Sequence, residues 1–447
     1  MRSRLALLTV LLGALAFVGA APGAGAPTTQ CAPAASYPAA ATPVAFWSTE
    51  ARCAIVPAGP GGVFGAENFG NKFPGEAAVY MGIVHAAIYD AAVAIEGGYR
   101  PYAPTPRAPA DTSPEAAVAT AAYGTLIGLQ PALGLGPGQL AILDGDFAAY
   151  LASVPDDAAK LNGISVGAQA AQAVLARRVN DGRGCSTTLQ DLGQPAPAPG
   201  VWQPNPTGPV LGLCLPDMRP LALRSASQFR PRPPFRLTSR AYAADFDQVK
   251  ELGRDTSTSR TPEQTVEARF WTDHDIRQWN DGMLRLAADR GLGLLQTARM
   301  LAMAHVAGGD AMIGCFDAKY HYWFWRPFQA IPQAGADGNP ATQADPSWLP
   351  LGATPNFPEY PSAHACHSGA VVQALDSFFG TDRVAFSLDS RITHTTASYA
   401  RLHDVVDDVN LARVLVGFHF RTSDLRGASL GRRVGGYVAE HFFQPTG

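Results

Sequence analysis

The chain has 447 residues, 47% apolar and 16% charged, with a formal net charge of −3. That length allows a large buried core or two domains, and the charge balance offers no global basic field for nucleic acid. No Cys/His cluster has zinc spacing, and no C-x-x-C-H haem-attachment motif occurs.

In chain order, the first segment reads as an export signal. Arg2 and Arg4 precede an apolar run, Leu5 to Val18, and Ala24-Gly25-Ala26 fits a small-residue cleavage pattern. The run is shorter than the ~20 residues a spanning helix requires. Residues 1–26 are therefore expected to be removed, leaving an extracellular protein without an integral membrane anchor. No later stretch reads as a membrane span. Six cysteines follow, at 31, 53, 185, 214, 315 and 366. An even number in an exported chain favours disulfides. Proximity suggests Cys31 with Cys53, Cys185 with Cys214 and Cys315 with Cys366.

Residues 27–75 are rich in Pro, Gly and Ala without a clear period, and read as an arm over a core. Apolar residues then recur at helical spacing from Glu76 to Ala94, closed by Gly97 and Gly98. A second helix starts at Ser113-Pro114-Glu115, which combines an N-cap, a first-turn proline and an acidic residue, and runs to Leu129. Further helices are expected over Gln139–Val154 and Asp156–Val179. A Pro-rich surface excursion occupies 181–260. Helical patterning resumes at Thr261, and two more helices are expected after His364 and over Leu402–Gly417. The expected class is all-α, built of helical bundles within one domain, 76–447. Residues 76–180 form the first bundle, and 261–447 the second, which carries the site. No internal repeat is visible in the sequence.

Three segments carry candidate chemistry. In KYHYWFWRP, Lys319 and Arg326 are seven apart, nearly two helical turns, or about 10 Å along a helix axis. Pro327 disfavours helical geometry at Arg326, so a turn is expected to bring the two cations together. In PEYPSAHACHSG, Ser362 stands where a helix begins. There, free backbone N–H groups and the helix dipole favour an anion, and His364 projects from the first turn as a possible proton donor. In RVLVGFHFRTSD, Arg413 and His419 are six apart, about 120° different on an ideal helix. They reach one site only if the helix ends between them, as Gly417 allows. Taken singly, each segment is more readily read as solvated charges, a plain cap or a core histidine.

Together and in this order, the segments resemble the superfamily of vanadium-dependent haloperoxidases and type 2 phosphatidic acid phosphatases. That pattern is Lys, six residues, Arg-Pro; then Pro-Ser-Gly-His; then Arg, five residues, His. The similarity covers about 319–424; VHAAIYDAAVAI and FWTDHDIRQWND also look like bacterial members. It implies that Lys319, Arg326 and Arg413 neutralise an oxyanion and that Ser362 and the N–H of Ala363 hydrogen-bond it. His419 would be the vanadium ligand or phosphate nucleophile, and His364 the general acid-base. Phe316 and Phe357 would lie on the halide side. Two departures stand out. Ala363 replaces the usual Gly, a strain if the position needs positive φ. Ser423 stands where the phosphatases carry an Asp that orients the final His, with Asp424 one residue on.

The resemblance implies, first, a vanadate-dependent haloperoxidase that oxidises halide with hydrogen peroxide and passes it to an organic acceptor. The alternative is a secreted acid phosphatase acting on phosphate esters in the same cage without vanadate. A third reading is a non-catalytic exported oxyanion-binding protein, which would need no His364. A serine hydrolase is disfavoured because Ser362 lacks a G-x-S-x-G setting.

Overall fold

The structure is a computed structural model that describes residues 43–57, 70–206 and 208–446; the expected leader, 1–26, and Cys31 lie outside these. Within the stretch expected to be an arm, residues Pro43–Ile55 form helix α1. Trp47, Ala51 and Ile55 recur every four residues and are fully buried. This apolar stripe is short enough to be masked by the surrounding Pro, Gly and Ala.

The first group of helices follows the expected order. α2 is Pro74–Glu96, ending at Gly97 with φ 76°. α3 is Pro114–Leu133, where Ser113 Oγ accepts the Ala116 N–H at 3.2 Å. α4 is Pro137–Ser153 and α5 is Ala158–Arg177, capped by Asp157 through the Lys160 N–H. α2 and α3 are long and apolar enough to cross a membrane, contrary to the sequence reading. In this fold the apolar window of α2 is 94% buried and that of α3 61% buried. α2, α3 and α5 pack together as one group.

From Arg178 to Ser239 the described residues form no α-helix. The segment is tied by the Cys185–Cys214 disulfide and by Asp310, whose buried carboxylate accepts the N–H groups of Leu221, Ala222 and Leu223. The excursion ends earlier than expected. α6, Arg240–Leu252, buries Tyr242, Phe246 and Val249 at helical spacing.

The second group begins with α7 (Pro262–Phe270), α8 (Asp275–Asp289) and the long α9 (Leu294–Tyr322). A short α10 (Pro327–Ala330) and α11 (Ala363–Phe379) follow. A hairpin pairs β1 (Phe386–Ser390) antiparallel with β2 (Thr395–Tyr399), Phe386 facing Tyr399. α12 (Asp404–Leu415) and α13 (Arg421–His441) complete the chain, so three helices rather than two follow His364. α13 lies hard against α11 along a stripe of Gly427, Gly431 and Gly435. A Cβ at any of these would come within 2.6 Å of an α11 backbone oxygen. α9, α11 and α13 form the second group, and α2 packs on α9 between the two.

That contact reveals a likeness the sequence did not. α2 carries His85 and Asp90, and α9 carries His305 and Asp310, at the same spacing. The two imidazoles stack with centroids 4.5 Å apart and planes at 13°. Asp90 binds the N–H groups of Tyr102 and Ala103, much as Asp310 holds 221–223. Ser48 Oγ lies 3.2 Å from His85 Nε2 and donates to Asn280 Oδ1, which also lies 3.0 Å from His305 Nε2. Burial holds His85 neutral, with its pKa pushed down to about 3.

His85 therefore binds fewer protons folded than unfolded between pH 3 and its ordinary 6.5. Its contribution to stability is complete above pH 6.5 and is lost on acidification, by about 1.4 kcal/mol per pH unit. We expect His85→Gln to flatten the acid limb of the stability curve by about that slope in urea unfolding between pH 5.5 and 4.5. An unchanged limb would contradict this account.

Candidate active site

α9 stops short of Arg326. Trp323 takes a left-handed conformation (φ 52°) and caps the helix through its N–H to the Lys319 carbonyl. Arg326 then lies in extended backbone as the N-cap of α10. Lys319 and Arg326 are thus brought together by a turn rather than by a shared helix face.

Both side chains are fully buried. Lys319 Nζ donates to the carbonyls of Pro358 and Glu359, each at 2.9 Å, and of Pro361 at 2.5 Å. Its three hydrogens are therefore all engaged by one short segment. Lys319 supplies charge and holds this loop; it has no free hydrogen aimed at an anion. Arg326 Nε donates to the Phe357 carbonyl, and Nη1 to the Phe418 carbonyl and to His419 Nε2 at 3.1 Å. Its Nη2 meets no protein acceptor.

Ser362 is the N-cap of α11 and is fully buried, and its hydroxyl caps nothing. Its own N–H is tied to the Ser423 carbonyl, fixing the start of α11 against the start of α13. Ala363 is the first helical residue, and its backbone is not in the positive-φ region. The expected strain of Ala for Gly therefore does not arise. His364 Nε2 is buried without a hydrogen-bond partner, and Ser362 Oγ makes no well-aligned hydrogen bond, with only the Asp424 carboxylate beside it.

α12 ends at Leu415, and Gly417 (φ 80°) reverses the chain. A side chain there would also meet the Gly253 carbonyl at 2.5 Å. Arg413 stays on the helix, its Nη1 bound to the Trp271 carbonyl and its Nε without an acceptor. His419 comes in from beyond the turn. The three segments, far apart in the chain, meet at the N-terminus of α11.

The carboxylate that orients His419 is Glu359. Its Oε1 accepts from His419 Nδ1 at 2.9 Å and from the Phe420 N–H at 3.0 Å, and its Oε2 from Ser423 Oγ at 2.7 Å. All three partners donate, and Arg326 can only donate to Nε2. His419 therefore carries its proton on Nδ1 and presents a lone pair on Nε2. Asp424 is buried beside Ser362 and Arg413, with its pKa raised well above normal by burial, and makes no contact with His419. Sequence reading passed over Glu359 because it precedes its histidine by sixty positions; Ser423, in the usual Asp position, supplies only a hydroxyl to it. A second missed group is Asp275 at the start of α8, 3.2 Å from His367 Nδ1. Burial alone would raise its pKa, but nearby His364 and His367 hold it below the usual carboxylate range.

The cations strain against one another. Burial lowers Lys319 to about 8, Arg326 to about 9 and Arg413 to about 10; Arg326 also disfavours charge on Lys319, as Arg413 does on Arg326. Burial and Arg413 push His364 down to about 3. Burial and the surrounding cations hold His419 well below its ordinary value, and burial raises Glu359 to about 7.

Phe316 and Phe357 sit edge to face at 5.1 Å. Lys319 Nζ lies 4.9 Å from the centre of the Phe357 ring, and the Arg326 guanidinium 4.8 Å. Both phenylalanines, with Ala363, His364, Arg413 and His419, border a cavity of about 680 Å³. The expected Cys315–Cys366 disulfide is not formed. Both are buried free thiols, and Cys315 Sγ is directed at the Pro361 carbonyl at 3.6 Å. Cys53 is disulfide-bonded, but its expected partner Cys31 lies outside the described residues.

Residues 299–446 match the family model for the VCPO second helical-bundle domain. That stretch, which holds the three segments, is therefore similar to the second helical bundle of the vanadium haloperoxidase superfamily. The chain is 32% identical over 149 residues to vanadium chloroperoxidase of Curvularia inaequalis, a match spanning 28% of this chain and 24% of that protein. Its fold is similar to the crystal structure of the first bacterial vanadium-dependent iodoperoxidase, with TM-score 0.71 and 21% identity over 92% of this chain and all of the other. It is also similar to an apo-type bacterial vanadium-dependent chloroperoxidase, with TM-score 0.64 and 18% identity over 82% of this chain and 93% of the other.

At this site, Glu359→Gln replaces an acceptor that faces three donors with a group that brings its own N–H₂. Partners that orient a ligating imidazole typically contribute 10- to 100-fold to affinity. We expect orthovanadate or phosphate binding, measured by calorimetry, to weaken by about that factor. Unchanged affinity in a folded Glu359→Gln variant would rule out the orienting role.

Proposed function

We propose that the chain is a vanadate-dependent haloperoxidase. The observation that carries this reading is the set of buried donors without a well-aligned protein acceptor: Ser362 Oγ, Arg326 Nη2 and Arg413 Nε. A tetrahedral oxyanion would satisfy all three and relieve the repulsion among the desolvated cations. Arg326 and Arg413 would bind its oxygens, with the ammonium of Lys319 adding charge from behind. Ser362 Oγ and the N–H of Ala363 would donate at the helix N-terminus, where the dipole favours an anion. The His419 Nε2 lone pair, fixed by Glu359, is the ligand atom the residues present. When bound, vanadate would supply Lewis-acid activation of hydrogen peroxide for two-electron oxidation of a halide.

His364 is neutral and its Nε2 has no protein partner, so it is available to take up or return a proton at the cage. Asp275 nearby would steady the charged form. The cavity against the cage is mainly apolar, so it lowers the local dielectric on that side. The relatives support vanadate over phosphate, because those named above are vanadium haloperoxidases.

A phosphatase is the second reading, favoured by one observation. A nucleophilic histidine benefits from a carboxylate on its other nitrogen, and Glu359 supplies it where Ser423 does not. Both readings suit an extracellular protein acting on small molecules, as the N-terminal segment suggests.

Purified mature chain incubated with orthovanadate should brominate a phenolic dye with bromide and peroxide, and lose that activity when vanadate is removed. His364→Ala should lower turnover by about 10²- to 10⁴-fold while retaining vanadate binding by calorimetry. Bromination independent of vanadate would overturn the proposal. Phosphate-ester hydrolysis without vanadate, in the absence of bromination, would establish the second reading. Vanadate binding with neither activity in the parent protein would indicate an oxyanion carrier.

A further inference from the structure

A second concentration of positive charge lies outside the cage. From Met218 to Ala244 the sequence holds six arginines and no Asp or Glu, in a chain whose formal net charge is −3. α13 adds Arg421, Arg426, Arg432 and Arg433 against two acids: Asp424, buried beside Ser362, and Glu440 at the far end of the helix.

Three contacts lay residues 229–245 along α13. The Phe229 ring packs on Tyr437 at 6.0 Å, with the Arg433 guanidinium 4.6 Å from its centre. Tyr360, near enough to Arg426 to feel its charge, donates to the Arg232 carbonyl. Asp245 accepts the Thr422 N–H at 3.1 Å. The segment therefore follows the helix from its C-terminal end to its start, and the two sets of arginines share one side of the molecule.

That side holds its charges outward. The segment's backbone carbonyls are tied inward: Pro231 to the Tyr322 hydroxyl at 2.7 Å, Arg232 to Tyr360, and Leu237 to Asn339 Nδ2 at 2.6 Å. Pro231, Pro233 and Pro234 stiffen it further. Arg230 is neutralised by Asp317 at 2.7 Å; among the described residues it is the one arginine of segment and helix that forms an ion pair. Arg232, Arg236 and Arg240 are exposed, as are Arg421, Arg432 and Arg433, while Arg426 is half-buried. Like charges gathered without counter-ions repel, and an anionic partner relieves that repulsion.

Two features separate the possible anions. All the unpaired cations are arginines, whose planar fork matches two oxygens of a phosphate diester. Large apolar side chains stand exposed among them: Phe235, 36% exposed, beside Arg236, and Leu425, 48% exposed, beside Arg426. A soluble polyanion gives such side chains nowhere to bury, whereas the boundary between lipid headgroups and acyl chains takes both kinds. The 21 residues of α13 span about 30 Å, enough to meet several headgroups at once.

We propose that this face docks the protein on an anionic lipid bilayer, with the arginines on lipid phosphates and Phe235 and Leu425 at the acyl boundary. The contact is peripheral and independent of the chemistry of the cage.

The test is sedimentation of the purified mature chain with vesicles of equal parts phosphatidylglycerol and phosphatidylcholine, against vesicles of phosphatidylcholine alone. The anionic vesicles should carry the protein down and the neutral ones should not. Salt at about 1 M, where the Debye length is about 3 Å, should release most of it. Each arginine at such a surface contributes about 5-fold in affinity. The double variant R236Q/R432Q should therefore bind anionic vesicles about 25-fold more weakly. Phe235→Ser combined with Leu425→Ser should weaken vesicle binding by about 10-fold and leave retention on dextran sulfate unchanged. Thermal unfolding and vanadate affinity should match the parent in both, since none of these side chains reaches the cage. Equal binding to neutral and anionic vesicles, binding to neither, or parent-like binding by R236Q/R432Q would overturn the proposal. Tight retention on dextran sulfate without vesicle binding would overturn it in favour of an acidic polysaccharide.

Discussion

One ammonium group organises the second helical group of the molecule. Lys319 Nζ gathers the carbonyls of Pro358, Glu359 and Pro361 around itself in a fully buried position. Burying an ammonium costs several kcal/mol unless its hydrogens are all satisfied. Those carbonyls satisfy them, and the requirement in turn dictates the path of the chain from 358 to 361. That path sets Glu359 under His419 and delivers Ser362 to the start of α11. A residue that the motif assigns to an oxyanion is therefore the pin that shapes the loop leading into α11.

Around this pin the protein holds positive charge where it is least comfortable. Arg326 and Arg413 are buried with donors left over, and repulsion adds to the loss of solvent. Such a site is stable only in a rigid frame that cannot relax by swinging the guanidiniums into water. The glycine stripe of α13 provides part of that frame, since it lets α13 approach α11 backbone to backbone. The Phe357 and Phe418 rings under the guanidiniums provide another part, with centroids 4.8 and 4.9 Å away. An anion bound there, as proposed, would complete the electrostatics at little reorganisation cost, the condition for strong transition-state stabilisation.

The orienting carboxylate shows how a role can move through the fold. The superfamily's phosphatase pattern puts it one turn beyond the histidine. Here that position is Ser423, whose hydroxyl donates to Glu359, and Glu359 arrives from another segment. The chemistry constrains which atom meets Nδ1, not which residue number carries it. Asp424, the nearest acid in sequence, lies beside Ser362 and Arg413. The two thiols at 315 and 366 make the same point in reverse. The nearest remaining pair in the sequence does not bond, and Cys315 instead faces a carbonyl of the pinned loop.

The sequence by itself determined the helical class and most helix starts, and it singled out the residues that the fold gathers around the start of α11. These follow from local rules: Ser and Asp caps, prolines in first turns, a 3.6-residue apolar period and fixed motif spacings. It missed α1 and α6, whose apolar stripes are brief and lie among prolines and glycines, and it ended its last helix at Gly417 without expecting α13. Tertiary structure alone decided that Lys319 spends its hydrogens on backbone, that Glu359 orients His419, and that α2 and α9 share a buried His-and-Asp arrangement. It also decided that an aromatic-walled cavity opens onto the cage. Each of these depends on contacts between residues tens to hundreds of positions apart, which burial and hydrogen-bond satisfaction select only once the helices have packed.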